Sequence, residues 1–175
     1  MGHPDRPRIF SLVTKTRFLH IEDALANGKK LRFFVGSFER GHGANATAYA
    51  FLDLDDARVI MNDLSWGRAV DFTDYKGGKD AYEAVISRVL KIQTKEDKLW
   101  VEVHNGAGEE LFEGAIKPRG KPFVEISVPL TPLDGRKMGY ACLAYLQAWD
   151  VVRLLRSENA GATSVNLYRN TGTLR

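Results

Sequence analysis

The chain has 175 residues, 44% of them hydrophobic and 27% charged. That length suits one ordinary domain, spanning 1–175, built on one shared core, and the apolar fraction excludes wholesale disorder. The single cysteine, Cys142, excludes an internal disulfide and a cysteine-based metal cluster.

The net charge of +3 is unevenly spread: residues 1–46 carry eight Lys or Arg against four Asp or Glu, and the remainder seventeen against eighteen. A positive N-terminal quarter points to an anionic partner, a solvated basic tail being the alternative. No apolar signal-peptide core is found in the first residues, so a cytoplasmic location is expected.

Residues 1–10, with two prolines and two arginines, read as a flexible arm leading into Ile9, Phe10, Leu12 and Val13. From Lys29 to Phe38, alternation places Leu31, Phe33 and Val35 on one face of a strand and Arg32, Phe34 and Phe38 on the other. The glycines of Glu39–Ala46 predict a loop onto a second strand over Thr47–Leu54. Asp55 is placed to cap a helix carrying Ala57, Ile60, Met61 and Leu64, which Gly67 ends. The first half, 29–67, is thus read as strand, strand, helix, and 68–81 is assigned no element.

Over 82–156 the pattern gives four strands and a helix. The strands are Tyr82–Gln93, turning at Lys95–Asp97; Leu99–His104, ending at Asn105-Gly106; Phe112, Gly114 and Ile116; and Val124–Leu130. Short connections make them an antiparallel meander. Thr131 and Pro132 open a long helix to about Arg156, with Asp134 completing a capping box. Its interior from Met138 is apolar on most sides but interrupted by Gln147, Asp150 and Arg153, so a membrane span is not expected. Gly135 and Gly139 could admit close backbone approach. Residues 157–175 read as a loose tail with a short strand near Val165–Tyr168. The fold class is therefore α+β, antiparallel meanders backed by helices.

No catalytic motif emerges. Gly28-Lys29, Gly78-Lys79 and Gly120-Lys121 all lack the earlier glycine and the following Ser or Thr of a P-loop. His3, His20, His42 and His104 show no paired-ligand spacing, so no metal and no cofactor is expected. Asp53, Asp55 and Asp56 read as helix-start residues rather than a magnesium site, and Cys142 as a buried inert thiol.

What remains is aromatic residues interleaved with positive charge, the pattern by which bases are stacked while Lys and Arg track phosphates. The primary candidates are Lys30, Arg32, Phe34, Phe38 and Arg40 on and after the first strand, with Tyr49 on the second. Trp66 and Arg68 follow the first helix. Trp100 on the meander and a basic loop of Lys117, Arg119 and Lys121 form a further group. The alternative for Phe34, Phe38 and Tyr49 is the inner surface of a sheet covered on both sides.

The order of four strands and a long helix over Tyr82–Arg156, with a shortened version over Leu31–Gly67, resembles the Whirly and PUR-type single-stranded nucleic-acid-binding domains. Ile9–Leu19 could supply one of the two strands lacking in the first half. The resemblance implies a non-enzymatic binder of single-stranded DNA or RNA, DNA favoured, with little sequence preference. A protein-interaction module that forms a homodimer through the apolar helix is the alternative, and an enzyme with an unrecognised site the third.

Overall fold

The computed structural model describes residues 6–26, 28–111 and 115–169, with side chains to 157. Its elements run β1 (Arg8–Val13), β2 (Arg17–Ala24), β3 (Lys30–Glu39), β4 (Gly43–Asp53), α1 (Leu54–Ser65), β5 (Asp71–Lys79), β6 (Val85–Lys95), β7 (Lys98–Glu110), β8 (Ile116–Pro118), β9 (Val124–Leu130) and α2 (Pro132–Arg169). The α+β class read from the pattern is the class observed.

The first sheet has the order β1-β2-β3-β4, all antiparallel. In the second, β5, β6 and β7 form a meander, and both β8 and β9 pair with β7. β8 lies against Gly108–Glu110 and β9 against Leu99–Asn105, so together they act as one interrupted fourth strand. Each half is thus four strands' worth of meander followed by a helix.

Several expected boundaries are corrected. Of the expected arm, Arg8–Phe10 belong to β1 and residues 1–5 lie outside the described residues, and β2 was not expected as a separate strand. The hairpin loop shrinks to Arg40–His42 because Gly43–Ala46 pair with β3. Residues 71–79 form β5, whose exposed face and Gly77-Gly78 hide it from an alternation test. Those glycines belong in a strand: a Cβ on Gly77 would lie 2.6 Å from Ile116 Cγ2, so the absent side chain makes room for β8. β7 does not end at Asn105-Gly106 but continues to Glu110, and of the expected third strand Ile116 lies in β8 while Phe112 and Gly114 fall outside the described residues. α2 passes Arg156 and includes Val165–Tyr168, which is therefore helix and not strand.

The turn at Lys95–Asp97 forms as expected, with Glu96 and Asp97 both at positive φ, as a two-residue hairpin requires. Asp53, not Asp55, occupies the N-cap of α1, with Asp55 and Asp56 inside the first turn. Gly67 ends the helix at φ +71°, with its N–H donating to Leu64 O and the Arg68 N–H to Asp63 O. The N-cap bond of α2 forms, Thr131 Oγ1 accepting from the Asp134 N–H at 3.1 Å, but the expected capping box is not completed: the Asp134 carboxylate accepts from the Thr131 hydroxyl at 2.7 Å and not from its backbone N–H.

One apolar core joins both halves. Leu31, Phe33 and Val35 from β3, Ala48, Ala50 and Leu52 from β4, and Val101 and Val103 from β7 are buried with Met61 of α1 and Met138, Cys142 and Leu146 of α2. The spacing of Met138, Cys142 and Leu146 places them on one face of α2. Gly139 lets that helix cross α1 closely, since a Cβ there would lie 2.5 Å from Met61 O. Gly135 meets only the Leu99 side chain, at 3.1 Å. Burial drives the Cys142 thiol pKa up to about 12, which makes it the inert group expected.

Candidate nucleic-acid interface

With Leu31, Phe33 and Val35 turned into the core, the intervening residues of β3 face away from it. The registers put Phe18, His20 and Glu22 of β2 beside Gly36, Phe34 and Arg32 of β3, and these beside Thr47, Tyr49 and Phe51 of β4. The outer face of the first sheet is therefore an aromatic field. Phe18 centres on it, 5.4 Å from Phe34, 6.5 Å from Phe38 and 4.8 Å from His20. Gly36 makes this possible, because a Cβ there would lie 2.2 Å from the Phe18 ring. Phe34 and Phe38 pack on Phe18, and Tyr49 on Phe51; all four are half-buried, so Phe34, Phe38 and Tyr49 are not the fully covered inner surface of a sheet.

Positive charge is threaded through this field. The Arg32 guanidinium sits 4.6 Å from the ring centroids of both Phe34 and Tyr49. It also donates to Glu22 at 2.5 Å, with both side chains nearly enclosed, at 12% and 9% exposure. Arg32 is thus a structural post of the face and not the free phosphate contact its sequence position suggests. Exposed Arg8, opposite Glu22 on β1, is the more accessible cation of this face. Burial and the neighbouring Arg8 hold the His20 imidazole below its ordinary value of 6.5, and its Nδ1 lies 2.9 Å from Ser11 Oγ.

Along β4 the face meets the second sheet. The Asn105 side chain pairs with the Tyr49 peptide as a strand would, its Oδ1 accepting from the Tyr49 N–H at 3.0 Å and its Nδ2 donating to the Tyr49 carbonyl at 2.9 Å. β7 itself runs on past Asn105-Gly106 because Gly106 and Ala107 pair with β6 and Gly108–Glu110 with β8. Arg88, opposite Asn105 on β6, donates to Tyr49 Oη at 2.9 Å and lies 4.8 Å from its ring. Beside it opens a cavity of about 250 Å³ lined by Arg6, Ala24, Lys30, Phe51, Lys76, Gly77 and Arg88. Two of its four cations are compensated: Asp53 lies 3.4 Å from Lys30 and 3.0 Å from Lys76, which also contacts Asp74. Burial opposes the charge on Asp53, but the two ammoniums outweigh it and hold its carboxyl below its ordinary value. Burial likewise opposes the Lys76 charge, and Asp74 and Asp53 outweigh it to raise its pKa.

The expected residues therefore separate into groups. Lys30, Arg32, Phe34, Phe38 and Tyr49 come together, with Arg40 exposed at the turn beyond β3. Trp66, 70% exposed, is the C-cap of α1, and Arg68 pairs with Asp63 and lines a different cavity with Thr94, Lys98 and Gly135. Trp100 is half-buried on the outer face of the second sheet. Lys117 lies in β8 paired with Glu109, and Arg119 and Lys121 are exposed after it. Sequence reading missed Arg6, Arg8, Phe18, Phe51, Lys76 and Arg88. The alternation of Phe18, His20 and Glu22 against Leu19 and Ile21 is the signal that could have found β2. Comparison with protein-family models and with curated proteins finds no match to the chain.

The Arg32–Glu22 pair gives a direct test of the post. Arg32→Ala strands a buried carboxylate and should lower stability by about 3 kcal/mol in urea unfolding. Adding Glu22→Gln to that variant should recover part of the loss; a single variant as stable as the parent would deny Arg32 this role.

Proposed function

We propose that the protein is a non-enzymatic binder of single-stranded nucleic acid, DNA favoured over RNA, with little sequence preference. The observation that carries this reading is the outer face of the first sheet, where Phe18, Phe34, Phe38, Tyr49 and Phe51 are interleaved with arginines and border a cation-lined cavity. Rings of this kind accept any base by stacking, and cations beside them accept the backbone without reading its sequence. The doubled plan of meander and helix supports it through the resemblance to Whirly and PUR-type domains.

Titration with labelled oligonucleotides at two salt concentrations should show a preference for the single strand. With about four to six phosphates neutralised, the log–log slope should be roughly −3 to −4. Phe34→Leu, which keeps apolar bulk but removes the ring, should weaken binding by about 1–3 kcal/mol. Arg8→Gln should make the slope shallower by roughly 0.7 while the protein stays folded. Absence of binding at low salt would overturn the reading.

A second reading rests on α2. Beyond the buried Met138, Cys142 and Leu146, the helix leaves Val151, Val152, Leu154 and Leu155 about half exposed, on more than one of its sides. A second copy of the chain, pairing its α2 with this one, would cover apolar surface that the described residues leave open. Sedimentation should then show a homodimer at micromolar concentration and a monomer for Leu154→Asp with Leu155→Asp; a monomeric parent would exclude this reading. Among the described residues no helix is long and apolar enough to cross a membrane.

A further inference from the structure

The outer face of the second sheet carries a cluster unrelated to the aromatic field. Glu102 and His104, two residues apart on β7, project to the same side, and Glu125 on β9 is the cross-strand partner of His104. His104 Nε2 lies 3.5 Å from a Glu102 carboxylate oxygen and 3.4 Å from one of Glu125. One donor atom from each of the three residues lies within 4.8 Å of the others.

Two buried polar atoms on this face have no hydrogen-bond partner. One is His104 Nε2 itself, and the other is Ser127 Oγ, whose residue stands opposite Glu102. A charge-assisted bond from an imidazolium to a carboxylate would close to about 2.7–2.9 Å. Neither contact of His104 does. Nitrogen and oxygen atoms bound to one tetrahedral zinc at 2.0–2.2 Å stand about 3.4 Å apart; Nε2 lies at that separation from each carboxylate, and the 58% exposed Glu125 side chain is free to close the wider gap to Glu102 on binding. Lys91, 3.9 Å from Glu102, is too distant to occupy that oxygen by a hydrogen bond.

We propose that Glu102, His104 and Glu125 form a binding site for a divalent first-row metal ion, zinc being the best match to one imidazole and two carboxylates. Three protein ligands leave a fourth position for water or an anion. His104 also lines a cavity of about 230 Å³ with Tyr75, Lys91 and Lys121, which leaves open space beside the imidazole for a fourth ligand. The expectation of no metal came from seeking paired histidines on a helix, whereas these ligands converge across two strands.

The test is calorimetric titration of chelator-treated, tag-free protein with zinc chloride, followed by cobalt(II) absorption for coordination geometry. One zinc per chain is expected, with a tetrahedral cobalt spectrum. His104→Ala and Glu125→Gln should each weaken zinc at least about tenfold, since even partners outside the ligand shell cost 10–100-fold. Glu125 is 58% exposed, so its substitution should leave the thermal midpoint without metal unchanged and separates ligand loss from misfolding. No zinc binding by the parent, or binding that neither substitution weakens, would overturn the proposal. Phe34→Leu, on the other sheet, should bind zinc as the parent does, so failure here is distinct from failure of the nucleic-acid reading.

Discussion

The two sheets are joined where the Asn105 amide pairs with the Tyr49 peptide, and the composition of the candidate interface depends on that joint. A primary amide can match both the donor and the acceptor of one peptide unit, so a single side chain does the work of a strand edge. Because β7 is held there against β4, its neighbour β6 brings Arg88 to the Tyr49 ring and β5 brings Lys76 to Asp53. Aromatic residues from the first half of the chain and cations from the second thereby share one surface.

Neighbouring groups hold several side chains of that surface in place. Arg32 is locked by Glu22 and by two rings, and Phe18 lies over a glycine that admits no side chain beneath it. Rings fixed in place lose little conformational freedom on stacking, which favours the bound state. The acids Asp53, Asp74 and Glu22 offset part of the positive charge and set the lysine and arginine positions. The second sheet turns a different chemistry outward, with two carboxylates about one histidine.

Legibility in the sequence followed the strength of the local signal. The hairpin of β3 and β4 and the split of Phe33 from Phe34 were readable because one face is wholly apolar and the pleat has period two. The cap at Thr131 was readable because its chemistry is local. β5 was not, because an edge strand with Asp74, Lys76 and two glycines shows no apolar alternation. Arg88, Lys76 and Phe51 meet Lys30 only through tertiary packing, and no spacing rule links residues 30 and 88. Arg32 shows the converse error: its charge was legible, but its use to neutralise Glu22 ten residues earlier was not.

The most direct measurement of the central claim is ultraviolet crosslinking of a bromouracil-substituted single strand, with the attached residues located by mass spectrometry. Crosslinks should fall on β2, β3 and β4, at Phe18, Phe34, Tyr49 or Phe51, whose rings would stack on the bases. Crosslinks confined to Trp100, to Lys117–Lys121 or to α2 would contradict the account and move the interface off the first sheet.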